Sequence, residues 1–139
     1  MSGFDSQMQL LGSQAKAAAA SLASSPVKQR SVAISYAAKS ILNNINRILS
    51  ANEIDMLNGR DRGLGDAMLD RLFLDSARVK SVANSLQDIA ELPDPLGKVL
   101  SQWERPSGLK IKRVSTPLGV IGVIYESRPN VTADAGALC

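Results

Sequence analysis

The sequence has 139 residues, of which 45% are hydrophobic and 21% are charged. This composition is too apolar and too weakly charged for a disordered chain, and it allows a buried core. One cysteine and no histidine exclude an intramolecular disulfide, a cysteine–histidine zinc cluster and a histidine-assisted nucleophile within these residues. A single thiol fits a reducing compartment, so we expect a cytoplasmic protein.

The net charge of +3 is not concentrated in one segment. Residues 1–50 carry +4, residues 51–100 carry −3, and residues 101–139 carry +2. The basic residues stand singly, without interleaved aromatic side chains, which favours solvated helix faces over a nucleic-acid footprint. No apolar run reaches the about 18 residues that a membrane-spanning helix needs. We therefore expect neither nucleic acid nor a membrane as a partner.

The first two thirds of the chain have helical periodicity. Residues 8–24 are rich in helix formers and predict a first helix. A longer helix is predicted over residues 27–51, because apolar residues recur there at steps of three and four. This apolar stripe consists of Ile34, Ala38, Ile41, Ile45 and Ile48. A third helical region is predicted over residues 66–91.

Near residue 108 the pattern changes from helix to strand. Residues 109–114 alternate between apolar and basic, which predicts a strand with one covered face. The almost continuous apolar run over residues 118–125 is typical of a parallel strand buried on both faces. A turn and a small-residue helix over residues 131–139 follow it. The predicted fold class is therefore α/β, with N-terminal helices leading into the first βα unit of a parallel sheet that is incomplete in this chain.

Three segments resemble the gamma-glutamyl phosphate reductase family of the aldehyde dehydrogenase superfamily. They are TPLGVIGVIYESRPNVT at 116–132, LDRL at 69–72, and LPDPLG at 92–97 followed by Trp103. The first segment is the most specific, because related aldehyde dehydrogenases share its apolar strand but continue with a different turn. The chain resembles the N-terminal portion of that family.

The resemblance implies an aldehyde dehydrogenase-like arrangement with a Rossmann-like sheet, in three segments. Residues 1–107 would form the N-terminal helical part of the cofactor-binding domain. Residues 108–116 would form an extended strand or arm, which in the superfamily tends to join subunits and so implies a homo-oligomer. Residues 117–139 would form the first strand, turn and helix of the nucleotide-binding sheet.

The activity that the resemblance implies is the reduction of L-glutamate 5-phosphate by NADPH to L-glutamate 5-semialdehyde, with release of phosphate, in proline biosynthesis. In this reaction a cysteine thiolate displaces phosphate to give a thioester, which hydride then reduces. The family's nucleophilic cysteine belongs to a later segment that these residues do not include, so we expect the piece to be inactive alone. Glutamate 5-kinase is the expected pathway partner.

The turn after the predicted strand carries the candidate site residues. In open parallel sheets ligands bind at the carboxyl ends of the strands. The resemblance implies that Asn130 donates to the developing oxyanion. The charge of Arg128 suits a carboxylate or phosphoryl oxygen, so we expect it to bind glutamyl phosphate. Tyr125 and Ser127 are expected to line the cofactor pocket, and no metal site is expected.

Each assignment has a structural alternative. Asn130 could be the N-cap of the following helix, with Asp134 in the first turn of that helix. The N-cap role and the oxyanion-donor role are compatible, so Asn130 could have both. Arg128 could form a salt bridge with Glu126 or another neighbour. Cys139 is expected to be a small packing residue behind the turn rather than a nucleophile.

Two further interpretations concern packing. The glycines at 119 and 122 lie inside the predicted strand instead of in a phosphate-binding loop, so we expect them to allow close packing of a helix on the sheet. The isoleucine stripe and the missing catalytic groups also leave a second function open, which is a non-catalytic helical interaction module. Sequence beyond Cys139 would separate this module from the reductase.

Overall fold

The computed structural model describes residues 3–139 and, within them, six helices and one two-stranded sheet. The elements are α1 (Gly3–Ala23), α2 (Val27–Asn43), α3 (Ile45–Asp61), α4 (Asp66–Leu72), α5 (Ser76–Glu91), β1 (Val99–Glu104), β2 (Lys110–Val114) and α6 (Pro129–Leu138). None of the helices in residues 3–139 is both long enough and apolar enough to cross a membrane.

The chain divides into two compact units. The first contains the described part of Met1–Val27 together with Pro93–Ile121, and so holds α1 and both strands. The second contains Lys28–Leu92 and Gly122–Cys139, and so holds almost all of α2, together with α3 to α6.

The helix predicted over residues 27–51 is two helices, α2 and α3, which meet at Asn44. Asn44 has φ −109° and ψ 16°, and its side-chain Nδ2 donates to the Ser40 carbonyl at 2.8 Å. An asparagine side chain that bonds the backbone competes with the helical ladder, which explains the break. The single-helix prediction was wrong here because apolar periodicity continues across the interruption.

The predicted helical region 66–91 is also two helices, with α4 ending at Leu72 and α5 starting at Ser76. Asp75 is the N-cap of α5, and its Oδ1 accepts a hydrogen bond from the Arg78 amide at 2.7 Å. This bond satisfies one of the amides that a helix start leaves without a helical partner. A second helix therefore begins inside the predicted one.

The core of the second unit forms between α2, α5 and α6. Ala38, Ala83 and Leu86 are buried together, and the partly buried apolar side chains of Ile34, Ile41, Val82, Ala133 and Ala137 pack against them. Alanines at these positions let the helices approach closely. Part of the predicted isoleucine stripe is thus used within its own unit, which argues against a helical module that offers this stripe to a partner.

The two strands form an antiparallel hairpin in the first unit, with Trp103 opposite Ile111. Its turn is closed by the Gly108 amide, which donates to the Arg105 carbonyl at 2.8 Å. Gly108 has φ +81°, a conformation that glycine adopts without a steric penalty. The strand predicted over 109–114 is confirmed as β2, whereas β1 was not anticipated because all six of its residues are exposed.

The apolar run over residues 118–125 forms no hydrogen-bonded strand, and its side chains are exposed, with Leu118 at 90% and Ile124 at 102%. A doubly buried strand needs neighbours on both edges, and no segment of residues 3–139 pairs with this run. The burial expected for this strand is therefore not present among residues 3–139, and it stays a prediction for a chain that includes the neighbouring strands. The close-packing interpretation of the glycines also stays a prediction, because a Cβ at Gly119 or Gly122 meets nothing within 4 Å among these residues.

Candidate functional site

The turn that carries the predicted site residues leads directly into α6. Ser127 has φ +49°, in the left-handed region that serine rarely adopts. Arg128 is the N-cap of α6, and Pro129 occupies its first turn, where the fixed φ of proline suits a helix start. The backbone thus turns sharply at Ser127, and helix α6 begins at Pro129.

Asn130 lies in the first turn of α6 rather than at its N-cap. Its side-chain Nδ2 donates to Asp134 Oδ2 at 3.3 Å, one helical turn further on. The N-cap interpretation of Asn130 was wrong because the helix starts earlier, at Pro129, and the interpretation of Asp134 as a first-turn residue fails for the same reason. Asn130 is exposed, so its carboxamide is open to a ligand.

The Arg128 side chain is exposed and forms no ion pair with any residue in the part of the chain that the structure describes. The alternative salt bridge with Glu126 is therefore not formed. The guanidinium retains its five N–H donors for an external anion.

Tyr125 and Ser127, the expected cofactor residues, are close to the same helix start. The Tyr125 hydroxyl lies 2.7 Å from Thr132 Oγ1, so it ties the turn to α6. Residues 3–139 contain no Gly-x-Gly-x-x-Gly sequence, the pattern that cradles the pyrophosphate of a dinucleotide at a helix start. These residues by themselves do not make a dinucleotide site, and we derive no step through a bound cofactor.

A polar cavity of about 220 Å³ lies in the second unit, where α4, α5 and the first turns of α6 meet. Its polar lining residues are Arg71, Arg78, Ser81, Ser85, Asn130 and Asp134. A second, apolar cavity of about 310 Å³ shares Leu74, Val82, Pro129 and Asn130 with it. Asn130, the predicted oxyanion donor, therefore borders both cavities.

The two arginines of the polar cavity differ in their partners. Arg78 Nη2 donates to Asp70 Oδ1 at 2.7 Å, and its Nη1 donates to the Phe73 carbonyl at 3.1 Å and to the Asp70 carbonyl. Its guanidinium also lies 5.3 Å from the centre of the Phe73 ring. Arg71 is exposed and has no hydrogen-bond or ion-pair partner in residues 3–139. Arg71 is therefore the cavity's available cation.

Asp134 supplies the negative charge of the polar cavity. Its Oδ2 accepts the bond from Asn130, whereas its Oδ1 is buried and has no hydrogen-bond partner. A buried carboxylate oxygen without a donor is costly, of the order of 1–3 kcal/mol. The sequence interpretation missed this cavity because its walls come from segments far apart in the chain.

Cys139 is exposed at the end of α6. The packing expectation for this residue does not hold among residues 3–139, where no side chain covers the thiol. No group of cysteine, aspartate or glutamate side chains in residues 3–139 could hold a metal ion.

Comparisons with known proteins point to one class of protein. No protein-family model matches the chain. Curated relatives and solved structures do match it, and among them are two curated reductases and the crystal structure of a third. All of these are gamma-glutamyl phosphate reductases, and the chain corresponds to their N-terminal part, so the resemblance expected from the sequence is confirmed.

The similarity covers nearly the whole chain. It is 50% identical over 137 residues to the Allorhizobium ampelinum enzyme, which is 99% of this chain and 32% of the relative. It is 53% identical over 129 residues to the Mesorhizobium japonicum enzyme, covering 93% and 30%. The crystal structure of the Thermotoga maritima enzyme matches with a TM-score of 0.87 and 36% identity, covering 91% of this chain and 30% of that one. The chain spans about a third of these relatives.

Proposed function

We propose that this chain is the N-terminal part of an enzyme that reduces L-glutamate 5-phosphate to L-glutamate 5-semialdehyde with NADPH, releasing phosphate, in proline biosynthesis. The observation that carries the proposal is the 50% identity to a gamma-glutamyl phosphate reductase over 99% of the chain. The nucleophilic cysteine lies in a later segment of the complete protein, and Cys139 is not that nucleophile. The piece alone is inactive.

Asn130 donates from its exposed carboxamide to the oxygen on which negative charge develops during acyl transfer. Such donors act best when they are fixed in advance. The bond from Nδ2 to Asp134 Oδ2, at 3.3 Å, holds the Asn130 side chain on the cavity side of α6. Because Nδ2 carries two hydrogens, one remains for the substrate.

Arg128 binds the phosphoryl group of the substrate. Its guanidinium has no internal partner among the described residues and stands at the N-cap of α6, where a helix end favours negative charge. A bidentate guanidinium bond to phosphate also specifies orientation, which lysine cannot reproduce.

NADPH supplies the hydride in the complete enzyme, and Tyr125 and Ser127 are the residues of this chain that line its pocket. Segment 118–125 becomes the first strand of a Rossmann-like parallel sheet once neighbouring strands are present, and 108–116 serves as the arm that joins subunits in a homo-oligomer. The enzyme is cytoplasmic and follows glutamate 5-kinase, which supplies its substrate.

The test is an assay of the complete protein in the reverse direction, with L-glutamate 5-semialdehyde, phosphate and NADP⁺. Formation of NADPH supports the proposal, and its absence contradicts it. Arg128→Lys should raise the KM for phosphate roughly tenfold, because the bidentate contact is lost. Arg105→Lys, in the hairpin turn, is the matched control and should leave that KM unchanged.

A further inference from the structure

We propose that the polar cavity between α5 and α6 binds the α-ammonium and α-carboxylate groups of the amino-acid substrate, with Asp134 taking the ammonium and Arg71 the carboxylate. This proposal rests on the proposed function and names the part of the substrate that this cavity recognises.

A cationic hydrogen-bond donor would stabilise the unpaired oxygen of Asp134. Oδ1 is buried without a hydrogen-bond partner, while Oδ2 is held by Asn130. A buried carboxylate is stabilised by a charged donor far more than by a neutral one. Both arginines of the cavity leave this oxygen unbonded, and the ammonium of an amino acid offers the missing donor.

Arg71 supplies the complementary charge. It lines the same cavity, is exposed, and is not engaged by another residue in the described chain. Arg78 cannot take this role as readily, because Asp70 and the Phe73 carbonyl already occupy its guanidinium. The hydroxyls of Ser81 and Ser85 belong to residues that line the same cavity and can donate to a carboxylate.

The position of Asn130 relates this cavity to the reacting end of the substrate. Asn130 and Asp134 lie one helical turn apart on the same side of α6, which is about 5.4 Å along the helix. Two methylene groups separate the α-carbon of glutamyl phosphate from its reacting carbonyl carbon. A substrate held by its ammonium at Asp134 therefore reaches Asn130 with its carbonyl oxygen.

Substrate analogues test the proposal on the wild-type complete enzyme. In the reverse assay we compare L-glutamate 5-semialdehyde with glutarate semialdehyde, which lacks the α-amino group, and with 4-aminobutanal, which lacks the α-carboxylate. We expect kcat/KM for each analogue to be roughly tenfold or more below the value for L-glutamate 5-semialdehyde, because a site that binds a polar group rejects ligands that lack it. Equal kcat/KM values for the three aldehydes would overturn it.

Two variants then assign each charge to its residue. Asp134→Asn retains a side-chain oxygen that can accept from Asn130 Nδ2, and it should lower kcat/KM for the amino substrates, mainly through KM, roughly tenfold more than for glutarate semialdehyde. Arg71→Gln should lower kcat/KM for the carboxylate substrates and leave 4-aminobutanal unchanged. Asp88→Asn and Arg47→Gln, at exposed positions outside the cavity, are the matched controls.

The outcomes separate this proposal from the proposed function. If Asp134 only positioned Asn130, Asp134→Asn would lower kcat for all three aldehydes alike, and the recognition role would be wrong. An active enzyme that accepts the analogues equally overturns the recognition role and leaves the reductase assignment intact. A complete protein with no phosphate-dependent activity overturns both.

Discussion

Asn52 in α3 accepts a hydrogen bond on Oδ1 from the Leu74 amide at 2.7 Å. Its Nδ2 donates to the Leu72 carbonyl at 2.8 Å, and the residue is only 4% exposed. One buried carboxamide thus bonds the last residue of α4 and the linker that leads from α4 to α5. Leu74 lines both cavities, so this contact fixes part of the wall of the candidate site.

Asn52→Ala should lower the free energy of unfolding by about 1–3 kcal/mol, because the Leu72 carbonyl and the Leu74 amide lose their partner. Equilibrium urea unfolding of the chain measures this loss. Asn58→Ala is the control, since Asn58 is exposed on the same helix. Equal stabilities of the two variants would show that the Asn52 contact contributes nothing.

Asp75→Ala should destabilise the start of α5 by about 1 kcal/mol, because the Arg78 amide loses its N-cap acceptor at 2.7 Å. Asp75→Asn retains a capping oxygen and should recover most of the loss. Amide hydrogen exchange of Arg78 reports the effect locally. Faster exchange in both variants to the same extent would be inconsistent with a capping role.

Gly59→Val should lower the free energy of unfolding by about 1–3 kcal/mol through overpacking. A Cβ at Gly59 would lie 3.1 Å from Leu64 Cδ1 and 3.2 Å from Leu69 Cδ2, in the contact between α3 and α4. Gly136→Val is the control, because a Cβ at Gly136 in α6 meets nothing within 4 Å. Urea unfolding should separate the two, and a Gly59→Val variant as stable as the control would contradict the packing.

Cys139→Ser should leave kcat of the complete enzyme within about twofold of wild type. Reactive cysteines are activated by a cationic neighbour or a helix N-terminus, whereas Cys139 lies far from the N-terminus of α6 at Pro129. The reverse assay measures this. Loss of activity on the scale expected for a missing nucleophile would make Cys139 the reactive thiol.

The helices were largely predictable from sequence, and their interruptions were not. Apolar spacing located α2, α3, α4 and α5, because the apolar residues of each helix lie on a face that is buried or partly buried. The breaks at Asn44 and before Asp75 depend on side-chain bonds to particular backbone groups, which periodicity does not detect. Strand β1 was missed because its residues are all exposed and its partner lies across a turn set by Gly108.

The candidate site was predictable only where it is local in sequence. The segment from Tyr125 to Asn130 was identified by its motif, and its residues do lie together at the start of α6. The polar cavity also needs Arg71, on the other side of a helix break, and a carboxylate oxygen of Asp134 that is left unpaired. Both features arise from tertiary packing, so the motif did not indicate them.

The most direct test of the central claim is the dependence of the reverse reaction on phosphate. With the complete protein, L-glutamate 5-semialdehyde and NADP⁺, an acyl-phosphate reductase forms NADPH at a rate that rises with phosphate and saturates, because phosphate must attack the thioester. We predict this saturation. NADPH formation at the same rate without phosphate would mean that water is the acceptor and would contradict the account.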